Sequence, residues 1–288
     1  MWSLILKIFA LGVFTATLCL FYGFFIEPRT LKVRHVEFLE PRWTGARLKI
    51  ALISDIHIGG WHVDPDRVAH IVDQINAESP DLVLIAGDFV SGHDKAIDRS
   101  NEFNAEIKAG MQKLSGISAP LGTYASLGNH DDWYDGDGIS GMLTRAGVKV
   151  LDNAHEMMKN EGLDFCLIGL PDSWTGEINT AVFKGCGSER TIAFMHSPDS
   201  FKYLPASTTL ALTGHTHGGQ INLPFYGRRV TATDIGPDFA YGKLRYKNIP
   251  VYVTAGIGTS ILPARFRAPP EIAIITISAP DQKFVFKR

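Results

Sequence analysis

Residues 48–57 read LKIALISDIH, an apolar run that ends in Asp-Ile-His. The run up to Ser54 is nearly all apolar, which is typical of a β-strand covered on both faces. Asp55 and His57 follow where this strand ends, and because they are two residues apart, their side chains would share one face of an extended chain. A single Asp-x-His is usually a polar loop with a capping aspartate, so this segment indicates a function only together with others.

The same arrangement, polar residues directly after an apolar run, recurs four times along the chain. It is found at Gly87-Asp88, at 128–131 (GNHD), at His196 and at 214–219 (GHTHGG). Each taken alone has an ordinary explanation as a turn residue, a helix cap or a polar loop. Two histidines in a glycine-rich turn are the sharpest signal, since neutral imidazole is the commonest metal ligand in proteins. Five such motifs in order are poorly explained by chance, and they predict a metal site.

The pattern between the motifs predicts an α/β chain. Helical spacing is found at 64–76, 101–114 and 139–146, between strands at 31–39, 48–54, 81–86, 122–127 and 148–151. The second half is richer in strands, predicted at 164–169, 190–195, 208–213, 251–254, 272–277 and 283–286, with short helices at 177–183 and 200–203. We therefore predict an α+β sandwich of two packed mixed β-sheets flanked by helices. In such folds, sites gather at the carboxyl ends of strands.

The first 26 residues have a different composition, and Lys7 is the only charge between residues 4 and 26. About 20 apolar residues suffice to cross a bilayer as a helix. A cleaved signal peptide is the alternative, but FYGFF at 21–25 stands where small residues would mark a cleavage site. We predict an uncleaved transmembrane anchor over 1–28, a linker and edge strand over 29–47, and a catalytic domain over 48–288.

The charge and the cysteine content bear on which class of protein this is and where it is located. A formal net charge of -2 over 288 residues excludes an overall basic protein, and no nucleic-acid partner is expected. Arg29, Lys32 and Arg34 follow the apolar segment, so the positive-inside rule favours a cytoplasmic domain. Three cysteines without a CxxC pair argue against a disulfide scaffold or a zinc ribbon. Cys166 and Cys186 are expected to pack as small apolar residues.

The ligand types also limit the chemistry of the metal site. Two divalent cations roughly 3.5–4 Å apart need a shared carboxylate and several terminal ligands. A mixed set of histidine, aspartate and asparagine suits manganese, iron or zinc better than calcium. We expect two divalent ions, with manganese as the first choice and iron or zinc as alternatives.

The five motifs resemble those of the calcineurin-like metallophosphoesterases, D-x-H, G-D, G-N-H-[DE], H and G-H-x-H, with no ligand missing between residues 48 and 217. This resemblance implies one metal held by Asp55, His57 and His217, a second held by Asn129, His196 and His215, and Asp88 as the bridge. It also implies that His130 is the catalytic histidine beside the leaving oxygen, with Asp131 orienting it. The implied reaction is hydrolysis of a phosphodiester or pyrophosphate bond by a metal-activated hydroxide.

Three further segments resemble one bacterial, membrane-anchored phosphodiesterase branch of this family. They are HSPD at 196–199, YVTAGIGT at 252–259 and RFRAPPEI at 265–272. One relative cleaves the pyrophosphate of UDP-2,3-diacylglucosamine in lipid A synthesis. The resemblance implies a single-pass protein of the bacterial inner membrane, acting on a phosphate-containing small molecule or a lipid-linked substrate. Two alternative functions are the pyrophosphatase of lipid A synthesis and a non-catalytic scaffold. The complete ligand set argues against the scaffold.

Several charged and imidazole side chains outside the motifs have a less specific interpretation. Two histidines in loops that follow motif strands, His62 and His93, could line the pocket but are taken as ordinary surface residues. Seven basic residues crowd the region beyond Gly219, and a solvated face, contact with anionic headgroups and binding of a second phosphate all remain open for them. They are Arg228, Arg229, Lys243, Arg245, Lys247, Arg265 and Arg267.

Overall fold

A computed structural model describes residues 1–160, 162–187 and 190–280. Two β-sheets pack against each other, and the outer face of the first is covered by the α-helices Pro65–Ala77, Asn101–Lys113 and Asn129–Arg145. Within the described residues the strands are β1 (Lys32–Leu39), β2 (Leu48–Ile53), β3 (Leu82–Ala86), β4 (Thr123–Ser126), β5 (Val148–Val150), β6 (Ala154–Asn160), β7 (Leu163–Gly169), β8 (Thr191–Phe194), β9 (Leu210–Thr213), β10 (Asn222–Leu223), β11 (Gly227–Arg228), β12 (Gly242–Tyr246), β13 (Ile249–Val253) and β14 (Glu271–Ser278). The predicted sandwich of two mixed sheets is confirmed.

The first sheet has the strand order β1-β14-β2-β3-β4-β5. Its strands β2 to β5 are parallel to one another, while β14 runs antiparallel to β2 and parallel to β1 at the edge. The second sheet has the order β12-β13-β9-β8-β7-β6, with a parallel centre and antiparallel outer pairs. The carboxyl ends of β2, β3 and β4 therefore lie at one edge of the first sheet, and those of β8 and β9 at one edge of the second.

Four α-helices accompany these strands in the described part of the chain: α1 (Trp2–Phe21), α2 (Pro65–Ala77), α3 (Asn101–Lys113) and α4 (Asn129–Arg145). Asp64 caps α2 by accepting a hydrogen bond from the Arg67 N–H at 2.7 Å, and Ser100 caps α3 in the same way. The helix predicted at 139–146 begins ten residues earlier, at Asn129, and is kinked at Asp135. Hence the third motif lies in the first turn of a helix.

Three apolar layers hold the sandwich together. One lies between the sheets and includes Ile50 and Leu52 of β2, together with Phe165 and Phe194 of the second sheet. A second joins the first sheet to α2, α3 and α4, and a third covers the outer face of the second sheet. Burying a side chain of this size contributes about 1.5–3 kcal/mol. Successive residues of each strand therefore pack into opposite layers, and this packing holds the end of the strand in place.

Four of the described strands were not predicted: the two-residue β10 and β11, and β6 and β12, which lie at the two edges of the second sheet. β6 reads AHEMMKN and β12 reads GKLRY, so polar residues on their open side conceal the alternation. The two short helices expected in this half are 3-10 turns at Thr180–Cys186 and Pro198–Tyr203. The strand predicted at 283–286 lies outside the described residues.

The expectation that Cys166 and Cys186 pack merely as apolar residues is wrong. Both are buried, but they form a disulfide with their Cα atoms 5.6 Å apart. The 3-10 turn that ends at Cys186 returns to β7, where Cys166 lies, and brings together two residues 20 positions apart. Spacing along the sequence gives no sign of that return.

One helix in the described part of the chain, within Trp2–Arg29, is long and apolar enough to cross a membrane. Its last turns, Tyr22–Ile26 and Glu27–Arg29, contact the globular part. The Gly23 carbonyl accepts a hydrogen bond from the Arg265 N–H at 2.9 Å. The buried Glu27 carboxylate accepts two more from the N–H groups of Arg267 and Ala268. The end of α1 is therefore attached to the domain by specific hydrogen bonds.

Candidate metal centre

The five sequence motifs meet at one place, where the strand ends of the two sheets face each other. Three groups of buried side chains have ligand atoms within 4.8 Å of one another. They are Asp55, His57 and His217; His57, Asp88 and His130; and Asp88, His196 and His215. The first group contains the three residues predicted for one metal, and the third contains Asp88 with two of the three residues predicted for the other.

The Asp88 carboxylate lies between the two groups. Its Oδ2 atom is 3.2 Å from His196 Nε2, 3.6 Å from His57 Nε2 and 3.8 Å from His130 Nε2. One oxygen thus faces imidazoles of both groups, as a carboxylate shared by two cations must.

Some buried ligand atoms have no hydrogen-bond partner among the described residues. They include Asp55 Oδ1, Asn129 Oδ1 and His215 Nε2. A buried polar atom without a partner costs about 1–3 kcal/mol. A bound cation would satisfy all three, so the donor set fits a metal site.

Burial keeps most of these imidazoles neutral. It lowers the pKa of His57 and of His215 to about 3, and it holds the pKa of His217 well below the usual range. A neutral imidazole has a free lone pair for a metal ion. Burial is also the largest single effect on His196 and lowers its pKa, but the hydrogen bond to Asp88 and the negative charges of Asp88, Asp55 and Asp172 together raise that pKa well above its usual value.

The end of β3 and the loop that follows it fix the orientation of three histidines. The Nδ1 atoms of His57, His130 and His196 lie 3.1, 2.6 and 2.7 Å from the carbonyl oxygens of Val90, Gly92 and Ala86. Because a carbonyl only accepts hydrogen bonds, each Nδ1 must carry a proton, and each ring presents its Nε2 to the centre. This arrangement is common behind metal-binding histidines.

Asp131 lies behind the loop instead of beside the reacting atoms. Its carboxylate accepts hydrogen bonds at 2.8–3.1 Å from the backbone N–H groups of Asp88, Phe89, Val90 and Gly128. The orienting partner of His130 is the Gly92 carbonyl, which corrects the role expected for Asp131. Asp131 is a positioning residue for the loop that carries Asp88.

The backbone at the centre is held in an uncommon conformation. Among the described ligands, Asp55, His57, Asp88, His215 and His217 have φ between 51° and 71°, in the left-handed region. Such residues cost of order 1–3 kcal/mol each and cluster at functional sites. The neighbouring glycines allow close approach, since a Cβ at Gly128 would overlap the Asp88 carboxylate.

Arg265 supports the centre, which is a role outside the three interpretations left open for the basic residues of this region. Its side chain is fully buried and donates hydrogen bonds to the carbonyls of Gly258 and Ala255. Burial lowers its pKa to about 10. The Gly258 N–H in turn donates to the Asp55 carbonyl at 2.6 Å, so Arg265 braces the turn behind a ligand.

Of the two histidines taken as surface residues, His62 is buried, whereas His93 is exposed and also lines a cavity. His62 is buried and its Nε2 lies 2.9 Å from the Pro263 carbonyl. The His93 ring lies 4.7 Å from that of His130 and 5.3 Å from that of Trp133. His93 thus lines the pocket next to His130. The sequence signal for this location was the position of His93 in the loop that follows the second motif.

A cavity of about 430 Å³ opens from the centre and has two unlike walls. The polar wall is formed by the centre itself and includes Asp88, Asn129, His130, His215 and His217. The apolar wall comes mostly from loops and from the short strand β10, with one side chain from α4, and it includes Trp133, Trp174, Ile221, Leu223, Ile261 and Leu262. The cavity therefore has a polar and an apolar surface side by side.

The family model for calcineurin-like phosphoesterases matches residues 48–219, which contain every predicted ligand. The chain belongs to the calcineurin-like metallophosphoesterases. It is a metal-dependent phosphoester hydrolase with a phosphodiesterase among its relatives.

Relatives of this metallophosphoesterase come from bacteria and animals. It is 30% identical over 243 residues to the metallophosphoesterase YkuE of Bacillus subtilis, covering 80% of this chain and 79% of that one. It is 26% identical over 267 residues to the phosphodiesterase YaeI of Escherichia coli, covering 84% and 92%. A transmembrane protein with a metallophosphoesterase domain from Danio rerio is 29% identical over 80% of this chain, which spans 53% of that protein.

Proposed function

We propose that this metallophosphoesterase cleaves a phosphodiester or pyrophosphate bond with two divalent metal ions. The position of the Asp88 carboxylate carries the proposal, because one oxygen faces the histidines of both ligand groups. Asp55, His57 and His217 would hold one ion, and Asn129, His196 and His215 the other. Manganese is the first choice, with iron and zinc as alternatives.

The ions, when bound, supply a hydroxide nucleophile at neutral pH and neutralise phosphoryl charge. The chain itself orients the reactants. His130 lines the cavity, and because its Nδ1–H donates to the Gly92 carbonyl, its Nε2 faces inward. In the protonated state Nε2–H would donate to the leaving oxygen and stabilise its developing charge. Asp131 would act on the reaction only through the Asp88 loop.

The experiment is a metal analysis of the purified protein combined with turnover of bis-p-nitrophenyl phosphate in the presence of manganese. We expect two equivalents of metal per chain and turnover that a chelator abolishes and manganese restores. A protein without bound metal and without turnover after manganese addition would instead be a non-catalytic scaffold.

A lipid-linked pyrophosphate is the second candidate substrate, and the apolar wall of the cavity favours it. UDP-2,3-diacylglucosamine combines a diphosphate with two acyl chains, which matches a pocket with one polar and one apolar wall. Incubation with that molecule should release UMP and the lipid monophosphate. Turnover of simple phosphodiesters without release of UMP would restrict the function to a general phosphodiesterase.

We also propose a single-pass anchor in the bacterial inner membrane, based on the apolar helix within Trp2–Arg29. The charges that flank it favour a cytoplasmic domain. The disulfide between Cys166 and Cys186 favours the opposite face, since disulfides persist in oxidising compartments. We give the disulfide more weight, because the charge difference is only a few residues, and we place the domain outside the cytoplasm. Alkaline phosphatase fused to the C-terminus should be active, whereas an inactive fusion would return the domain to the cytoplasm.

A further inference from the structure

Large apolar side chains are exposed around the mouth of the cavity, and we call this group the apolar rim. It consists of Leu223, Phe225, Tyr226, Val230, Ile261 and Leu262. Phe225 and Ile261 are 106% and 92% exposed, which means that they protrude from the surface. Contiguous exposed apolar side chains of this kind mark contact with a partner or a membrane.

The rim is built from two neighbouring loops. One is the hairpin of β10 and β11, which carries Phe225 and Tyr226 at its tip. The other is the turn 260–262, and the Gln220 side chain joins the two by donating to the carbonyls of Ser260 and Leu262. The rim is therefore one continuous surface.

The end of the apolar leader helix lies close to this surface. Phe266 pairs with Ile221 through a bridge, and its carbonyl accepts a hydrogen bond from the Asn222 N–H at the start of the hairpin. The ring of Tyr22 packs edge-on against Phe266, with centroids 6.2 Å apart. A short chain of direct contacts thus joins the last turn of the leader to the hairpin, and the Gly23 and Glu27 hydrogen bonds hold that turn in place.

We infer that the apolar rim is a second membrane contact, inserted into the outer part of the bilayer that holds the anchor. The partner is the lipid surface, because a helix that leaves the bilayer at Tyr22 keeps the neighbouring hairpin near the same surface. Exposed aromatic side chains such as Phe225 and Tyr226 suit that interface. Arg229, which lies over the Tyr226 ring, adds a positive charge that would face anionic headgroups.

This contact has a consequence for the cavity. Leu223, Val230, Ile261 and Leu262 belong both to the rim and to the cavity lining. Insertion of the rim would make the apolar wall continuous with the bilayer, so that an amphiphilic phosphoester enters directly from the membrane. The inference rests on the proposed anchor, and its test must separate the two.

The test uses the full-length protein in vesicles of phosphatidylethanolamine and phosphatidylglycerol that contain lipids with a nitroxide on the acyl chain. An environment-sensitive fluorophore is placed at Phe225→Cys in a Cys19→Ser background. The matched control is Leu39→Cys, an exposed apolar position at the far end of β1, about 23 Å along the strand from Lys32. A third sample carries the label on the native Cys19 within α1.

We expect the label at position 225 to show a blue-shifted emission and quenching by the nitroxide, and the label at position 39 to show neither. Equal emission and quenching at 225 and 39, with Cys19 quenched, would overturn the inference and leave the anchor intact. An unquenched Cys19 label would refute the anchor and the inference together. Neither readout depends on turnover, so a failure of the proposed hydrolase activity remains distinguishable.

Discussion

The two walls of the cavity are built in opposite ways. The polar wall stands on the ends of buried strands, and its side chains are held by hydrogen bonds such as those that Asp131 accepts from the loop after β3. The apolar wall stands mostly on exposed loops, and its rim side chains protrude into the surroundings. Enzymes commonly combine a rigid scaffold with loops that carry the contacts to their ligands, and the two walls differ in this way.

The largest expected effect comes from breaking the polar wall at its centre. In Asp88→Asn the negative charge that faces both groups of candidate ligands is lost, while the remaining amide oxygen can still accept the hydrogen bond from the His130 N–H. We expect turnover of bis-p-nitrophenyl phosphate to fall to the background rate and bound metal to fall below two equivalents. Metal analysis and a turnover assay on the same sample check both. If the variant retained both ions, Asp88 would not be the bridging ligand.

Replacing His130 separates catalysis from metal binding within the same wall. In His130→Ala we expect kcat to fall about 10²–10⁴-fold, because a positioned proton donor contributes that much. Metal content should stay at two equivalents, since His130 is proposed to act on the leaving group. The neighbouring His93→Ala variant is the control and should change kcat much less. Loss of metal from His130→Ala would make it a ligand.

A smaller effect is expected behind the polar wall. In Asp131→Asn an amide N–H₂ would face backbone N–H groups that now donate to a carboxylate. Leaving one or two of them without an acceptor costs about 1–3 kcal/mol each. We expect a lower Tm in thermal unfolding and a loss of activity of about 10–100-fold through the displaced loop. Asp137→Asn, at an exposed position of the same helix, should change neither.

The smallest effect is expected at the apolar wall. In Leu262→Ser part of an apolar contact with the substrate is lost, and burial of one such side chain is worth about 1.5–3 kcal/mol. We expect KM for an acylated phosphodiester to rise about tenfold and KM for bis-p-nitrophenyl phosphate to stay unchanged. Equal effects on both substrates would mean that the wall contributes to structure and not to selection.

The same contrast explains how far the sequence could predict the structure. Buried strands give continuous apolar runs, so β2, β3 and β9 and the residues at their ends were predictable. The edge strands β6 and β12 have polar residues on an open side, which hides their period. The disulfide and the burial of Arg265 depend on contacts between distant segments, and a single sequence contains no local signal for them. For the same reason the apolar rim was not predicted.

The buried Glu27 sets a limit for anyone who wishes to make this enzyme without its apolar helix. A shortened chain that starts at Thr30 would retain every metal ligand. However, it would leave the N–H groups of Arg267 and Ala268 without their acceptor and would uncover the segment next to the buried Arg265. Soluble forms should therefore begin no later than Gly23, so that the last turns of the leader stay as part of the catalytic body.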